Sequence, residues 1–209
     1  MSRASVSSGT GAWRVMLVSL VATSLLACAS SAPGANAPEP VAARSNIAGL
    51  DSAVPKRVGE FQLVDRHRVP GAAGDMAYRY RDASPANVSL YIYPIDYPGA
   101  ESSGGPRERV AHEGGLLLQL MPIQVQRHVY DSFEPLVSRP DSLVVRGMLI
   151  PGYVTGVRVH RGAATVHELQ LLHLVGGDFV KLRATIPEDY SIATLRALDS
   201  GIVAALVRP

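Results

Sequence analysis

The 209-residue chain has a single cysteine, Cys28, one tryptophan and three phenylalanines. One thiol cannot form an intramolecular disulfide, so the fold must be held together by its hydrophobic core. Long apolar runs are also missing. The longest, residues 15–28, has about 13 apolar or small residues before the cysteine, whereas a helix needs about 20 to cross a bilayer. This run is therefore not a transmembrane helix.

A basic surplus is missing from most of the chain. The sequence has 20 Lys and Arg against 18 Asp and Glu, but residues 1–27 contain Arg3 and Arg14 and no acidic residue. Without these two, 18 basic side chains balance 18 acidic ones. Binding to phosphates requires a basic surplus. We therefore predict that nucleic acid is not a partner.

Residues 1–28 contain the three parts of a secretory signal, namely basic residues, a short apolar segment and a small residue before the cleavage point. The segment ends in Leu25-Leu26-Ala27-Cys28, which resembles the lipobox of bacterial lipoproteins. The resemblance implies cleavage before Cys28, a diacylglyceryl thioether on its sulfur and, in many Gram-negative bacteria, acylation of the new terminus. Two or three acyl chains make a lasting anchor. The alternative interpretation is a buried, inert thiol.

The residue after the cysteine bears on which membrane would hold the anchor. In Gram-negative lipoproteins Asp at this position usually means retention in the inner membrane, and here it is Ala29. The resemblance therefore implies an outer-membrane lipoprotein that faces the periplasm, with the inner membrane and the cell surface left open.

Composition divides the rest of the chain in two. Residues 28–55 are rich in Ala, Ser and Pro and have few large apolar side chains, which predicts a lipidated Cys28 followed by a disordered tether. Residues 56–209 are enough for a single domain with a substantial core.

The first half of this domain reads as three strands and a helix. Apolar and polar residues alternate over residues 58–64, 75–82 and 88–93. A helical spacing of apolar or small residues then follows, with Pro106 suited to the first turn and Pro122 predicted to end the helix. Its residues are Val110, Gly114, Leu117, Leu118 and Met121. A close approach to the sheet would explain Gly114.

The second half predicts a meander of residues 153–160, 165–175 and 179–186, joined by Arg161-Gly162 and Gly176-Gly177. If both turns have two residues, the apolar face pairs Leu171 with Leu182, Leu169 with Ala184, His173 with Val180 and His167 with Ile186. The mostly polar face pairs Gln170 with Arg183 and Glu168 with Thr185. Residues 142–150 are predicted to add a strand before the meander.

The last element is a predicted helix at residues 191–207, capped by Asp189 or Ser191, with one apolar stripe. The stripe consists of Ile192, Leu195, Leu198, Ile202 and Leu206. The order βββ-α-ββββ-α predicts an α+β fold, an antiparallel sheet with two helices packed on one face. This order is similar to that of PsbP/Mog1-like domains, some of which occur in bacterial lipoproteins. The similarity concerns element order alone and implies no functional residue.

We found no convincing catalytic or metal-binding motif. His167 and His173 with Glu168 invite comparison with the zinc motif HExxH, but six positions on a strand separate them by about 20 Å. His112 and Glu113 are neighbours on a helix and are predicted to lie on its solvated face. We predict no catalytic residue, metal or cofactor.

The predicted binding surface is both basic and aromatic. It consists of Arg79, Arg81, Tyr91, Tyr93 and Tyr97 on adjacent strands and the loop that follows, and Tyr and Arg are enriched at interfaces. The alternative is an ordinary exposed sheet face.

Two functions remain open at this stage. The first is a non-enzymatic binding or accessory role near the membrane, with an envelope protein or ligand as partner and an unknown oligomeric state. The second is a cell-envelope hydrolase in which His112, His128, His167 or His173 meets a carboxylate in the fold.

Overall fold

The computed structural model describes residues 46–70, 75–95 and 104–207. In chain order, the elements within these ranges are α1 (Ile47–Ala53), β1 (Arg57–Val58), β2 (Phe61–Arg68), β3 (Met76–Arg81), β4 (Asn87–Pro94), α2 (Pro106–Gln126), β5 (Ser132–Pro140), β6 (Leu143–Val145), β7 (Met148–Ile150), β8 (Gly152–Arg161), β9 (Ala164–Val175), β10 (Asp178–Pro187) and α3 (Ile192–Leu206).

Eight of these strands form one antiparallel sheet in the order β1-β2-β3-β4-β10-β9-β8-β5, and β6 and β7 pair separately as a short hairpin. The α+β class with a large antiparallel sheet is therefore confirmed.

The predicted register of β9 and β10 is confirmed at every pair. Leu171 lies opposite Leu182, and the other predicted pairs follow in step. Gly176 and Gly177 occupy the two-residue turn with φ of 60° and 88°, a conformation that glycine adopts without strain. The turn between β8 and β9 also has two residues, but Arg161 belongs to β8 and pairs with Ala164, so the turn begins at Gly162.

The main core lies between the sheet and α1 and α3. Buried side chains of β2, β3, β4, β9 and β10 pack there against the predicted apolar stripe of α3, except Ile192, which is 47% exposed. We call this side the α3 face. Its most buried large side chains include Tyr78, Leu90, Leu182, Leu198 and Ile202.

The prediction that both helices pack on one face is wrong, because α2 packs on the opposite side, here called the α2 face. Leu171 belongs to the core beneath α3, whereas the next residue, Leu172, packs with Val110 of α2. Neighbouring residues of a strand point to opposite faces. Leu172 and Phe179 are apolar on the second face, so that face also has a surface to bury. The domain therefore has helices on both sides of the sheet.

Three of the element predictions are wrong, two of them because of proline. β5 contains Pro135 and Pro140 and was not predicted, but it is an edge strand with a register shift after Pro135, where proline is tolerated. α2 continues past Pro122 to Gln126, since a proline near the end of a helix removes only one backbone hydrogen bond. The predicted strand at residues 142–150 is instead the β6–β7 hairpin.

The folded domain extends further towards the N-terminus than residue 56. Residues 47–53 of the predicted tether form α1, whose Leu50 is buried in the core of the α3 face. The Tyr78 hydroxyl donates a hydrogen bond to Asp51, and the Tyr80 hydroxyl donates to the carbonyl of Pro55 at 2.7 Å. Residues 28–45 of the predicted tether and the predicted signal lie outside the described residues.

Candidate functional site

The five residues of the predicted binding surface differ in how far the structure exposes them. Arg79, Arg81 and Tyr91 lie on the α2 face, and Arg81 is exposed while the other two are partly buried. Tyr93 is buried, with 7% of its surface exposed, and packs with Phe179. Tyr97 lies outside the described residues. Only part of the predicted surface is therefore accessible.

This difference arises because α2 covers only one half of its face. The helix packs on β5, β8 and β9, and it approaches β8 so closely that a Cβ on Gly114 would lie 2.5 Å from the Tyr153 ring. The Thr155 hydroxyl donates a 2.6 Å hydrogen bond to the carbonyl of Gly114. The predicted reason for Gly114, a close approach to the sheet, is confirmed. α2 reaches only the last residues of β4, through Tyr93. The rest of this half, formed by β2, β3 and the first part of β4, has no such cover among the described helices, and we call it the open half.

A buried carboxylate lies at the boundary between the covered and open halves. Glu113 of α2 accepts a hydrogen bond from the Tyr93 hydroxyl at 2.5 Å and one from Lys181 Nζ at 3.0 Å. The Lys181 ammonium also lies 4.7 Å from the centroid of the Tyr93 ring, in cation–π geometry. The prediction that Glu113 lies on a solvated face is wrong, since only 5% of the residue is exposed.

A second carboxylate, Glu168 on β9, is buried beneath α2 and the following loop. Its Oε1 accepts hydrogen bonds from the hydroxyls of Thr185 at 2.7 Å and Tyr130 at 3.0 Å. Its Oε2 accepts hydrogen bonds from Arg183 Nε at 3.3 Å and Nη2 at 3.2 Å. Burial, followed by the charge and hydrogen bond of Glu168, raises the pKa of Tyr130 to about 12.

Both carboxylates were difficult to identify from the sequence. Glu168 and Gln170 were predicted on a mostly polar face, and that face is correct, but α2 buries both residues. The sequence signal for the two buried acids was indirect. Lys181 and Arg183 occupy alternate positions on β10, and each is the basic partner of one of these acids. Only knowledge that α2 packs on this face would have identified the acids as buried.

The open half is basic. The register places Arg79, Ser89 and Arg183 side by side on β3, β4 and β10. Arg183 and Lys181 are neutralised by the two glutamates, whereas Arg79 and Arg81 form no side-chain hydrogen bond or ion pair with any described residue. Asp65 lies opposite Arg79 on β2, and its carboxylate is 3.2 Å from His67 Nδ1. Free guanidinium groups beside Tyr91 are suited to binding an acidic or planar partner.

A histidine–carboxylate pair occurs on the α3 face. His173 Nε2 lies 2.8 Å from Asp199 Oδ2, and the side chains are 0% and 3% exposed. His167 is also buried on this face, with neither ring nitrogen hydrogen-bonded within the described part of the chain. His128 is exposed just after α2. No group of three or more potential metal ligands occurs among the described residues.

One shallow depression of about 360 Å³ lies near the N-terminus of α2. It is lined by Pro106, Arg107 and Glu108 together with Leu149 and Pro151 at the end of the β6–β7 hairpin. None of the histidines named above lines it. The described ranges contain no helix with both the length and the apolar character needed to cross a membrane.

The comparisons with known proteins give a distant likeness. No family model matches the chain, and no curated protein matches it. The chain is similar to the solution structure of cyanobacterial PsbP (CyanoP) from Synechocystis sp. PCC 6803, at 15% identity and a TM-score of 0.44, over 82% of this chain and 96% of that chain. No functional residue is transferred from that structure.

Proposed function

We propose that this chain is a lipid-anchored protein of the bacterial cell envelope with a non-enzymatic binding or accessory role. Cys28 carries the lipid, and the domain faces the periplasm from the outer membrane. The open half of the α2 face binds the partner through Arg79, Arg81 and Tyr91. The observation that carries the binding role is that these two guanidinium groups are free in the described structure, while Lys181 and Arg183 are neutralised.

The charged groups beside the open half support a binding role over a catalytic one. A general acid or base must reach its substrate. Glu113 and Glu168 are buried, and each is engaged by a cation and a hydroxyl group. What remains accessible on this side is basic and aromatic, a composition typical of interfaces.

The hydrolase alternative has one observation in its favour, because His173 and Asp199 lie within hydrogen-bond distance. Such a pair orients the imidazole in many hydrolases. However, the pair is sealed between β9 and α3, where both side chains are almost completely buried. We therefore assign the pair a structural role in the core.

The anchor is tested by changing Cys28 to Ala. The purified wild-type protein should carry the added mass of acyl chains on its N-terminal peptide, and the variant should lack it, because only a thiol forms the thioether. Mass spectrometry of both, with membrane fractionation, makes the measurement. A wild-type protein without acyl mass would show that the anchor proposal is wrong.

The binding surface is tested by comparing two charge-matched double variants. Arg79→Ala/Arg81→Ala removes two cations from the open half, and Arg127→Ala/Arg139→Ala removes two exposed cations elsewhere. Envelope proteins crosslinked to the anchored wild-type protein should be lost from the first variant and retained by the second. Equal capture by both variants would exclude the open half as the binding surface.

A further inference from the structure

The β6–β7 hairpin has apolar side chains on both sides, which is unusual for a short surface element. Val145 and Ile150 point inward and are buried in the core of the α3 face. Val144 and Leu149 lie directly opposite each other on the outer side and are 72% and 53% exposed. Met148 pairs with Val145 on the inner side and is 45% exposed. Val144 and Leu149 therefore form one exposed apolar patch on a hairpin that the core holds in place.

This patch lies at the end of the sheet where the described domain begins. Leu174 donates a backbone hydrogen bond of 3.1 Å to the carbonyl of Pro151, which directly follows the hairpin. The Asn46 backbone N–H donates one of 2.8 Å to the buried side chain of Asp178. Leu174 and Asp178 flank the same two-residue turn between β9 and β10. The apolar hairpin and the first described residue are therefore at the same end of the sheet.

The length of chain between Cys28 and Asn46 keeps this end close to any anchor on Cys28. Eighteen residue steps separate the two. A chain of that length cannot span more than about 60 Å, whatever its conformation. A lipid on Cys28 would thus hold the domain with this end towards the bilayer.

The charges around the patch are those of a membrane-surface element. Arg146 is exposed at the tip of the hairpin, and Arg107 is exposed where it lines the depression beside Leu149. Glu108 is the acidic residue of that depression. Apolar side chains flanked by arginine favour the interface of a bilayer that contains anionic lipids.

We propose that the β6–β7 hairpin inserts Val144 and Leu149 into the surface of an anionic bilayer, with Arg107 and Arg146 on its headgroups. The inference rests on the proposed anchor at Cys28. It adds a second point of contact that fixes the orientation of the domain, so that the sheet stands end-on to the membrane.

The test places a fluorescent reporter on the full, acylated chain in vesicles of phosphatidylethanolamine and phosphatidylglycerol. Leu149→Cys and Val64→Cys are labelled with nitrobenzoxadiazole, since an acylated Cys28 leaves the new thiol as the only one free. Val64 is the matched control, with 51% exposure on β2 at the other side of the sheet. Lipids with a nitroxide on the acyl chain then quench any reporter that touches the bilayer.

The expected result is a blue shift and strong quenching at position 149 with neither change at position 64. Adding Arg146→Asn and Arg107→Gln should weaken the quenching at position 149. An unquenched reporter at position 149 overturns the inference, and a blue shift without quenching does so too, because a protein segment rather than lipid then covers the patch. If the anchor proposal is wrong, Cys28 of the parent chain has a free thiol and takes up the label. Failure of the anchor is thereby distinguished from failure of the hairpin inference.

Discussion

The two faces of the sheet are built on different principles. The α3 face is one continuous apolar core with few buried polar groups, among them His173 and Asp199, which lie within hydrogen-bond distance of each other. The α2 face has two smaller apolar clusters, two buried glutamates with their partners, and an open basic half. Most of the apolar burial, and hence most of the stability, therefore belongs to the α3 face. The α2 face contains the polar chemistry and the accessible surface.

The test with the largest expected effect on stability removes core volume from the α3 face. Leu171 and Leu182 lie opposite each other and are 4% and 2% exposed. Changing either to Ala should destabilise the domain by about 2–5 kcal/mol, because a cavity remains in a well-packed site. Leu136→Ala, at an exposed edge position, is the control and should cost less than about 0.5 kcal/mol. Urea unfolding of the variants measures both, and similar losses would contradict the comparison.

A second test removes α1 from the same face. A chain that starts at Val54 loses the buried Leu50 and the partner of the Tyr78 hydroxyl, Asp51. We expect a loss of about 2 kcal/mol or more relative to a chain that starts at Ala29, which is a decrease in Tm of about 4–8 °C for a domain of this size. Thermal unfolding of the two chains makes the measurement. Equal Tm values would mean that α1 adds nothing to the core and that the stable domain begins near residue 56, as composition predicts.

An element of this architecture could be predicted where the sequence pattern that determines it lies within the element or its turn. The register of β9 and β10 was predictable because Gly176-Gly177 determines the turn and the turn determines the register. α1 was missed because its sequence, IAGLDSA, has one large buried side chain, Leu50, and resembles a linker. The prolines of β5 argued against a strand, and only its edge position, which is a tertiary property, permits them.

The candidate site was predicted less well for the same reason. Arg79, Arg81 and Tyr91 were placed on one face correctly, since alternation along a strand is local. Tyr93 shares that face but is covered by α2, and no pattern within β4 indicates where a distant helix packs. Charged residues are rarely buried without a partner, so Glu113 was predicted on a solvated face, and Glu168 was predicted only to lie on the mostly polar face of the meander.

A third test compares two arginines in the same row of the α2 face. Arg183→Ala leaves the buried carboxylate of Glu168 with two hydroxyl partners only. We expect the free energy of unfolding to fall by about 1–2 kcal/mol. This value is reduced because the Arg183 side chain is 48% exposed, so that solvent screens its charge. Arg79→Ala leaves no buried charge and should cost less than about 0.5 kcal/mol. Chemical denaturation of both variants tests this. Equal effects would mean that Glu168 is solvated despite its burial.

The smallest expected effect concerns Tyr130, which connects the loop after α2 to Glu168. Tyr130→Phe removes the hydrogen bond to Glu168 and should cost about 1 kcal/mol at pH 7. The pKa of Tyr130 is raised from 10.0 to about 12 in the folded protein, so its contribution is fully present below pH 10 and is lost as the pH rises towards 12. The phenylalanine variant has no such loss.

The difference in unfolding free energy between the wild type and the Tyr130→Phe variant should therefore shrink from about pH 10, change sign near about pH 11 and be clearly reversed at about pH 12. The other tyrosines are present in both proteins, so their titration cancels in this difference. Urea unfolding at pH 7, 10 and 12 provides the measurement. A difference that stays constant across this range would show that Tyr130 is not held against a buried carboxylate. In that case the α2 face would be more open than its contacts indicate, and Glu168 would join the accessible surface.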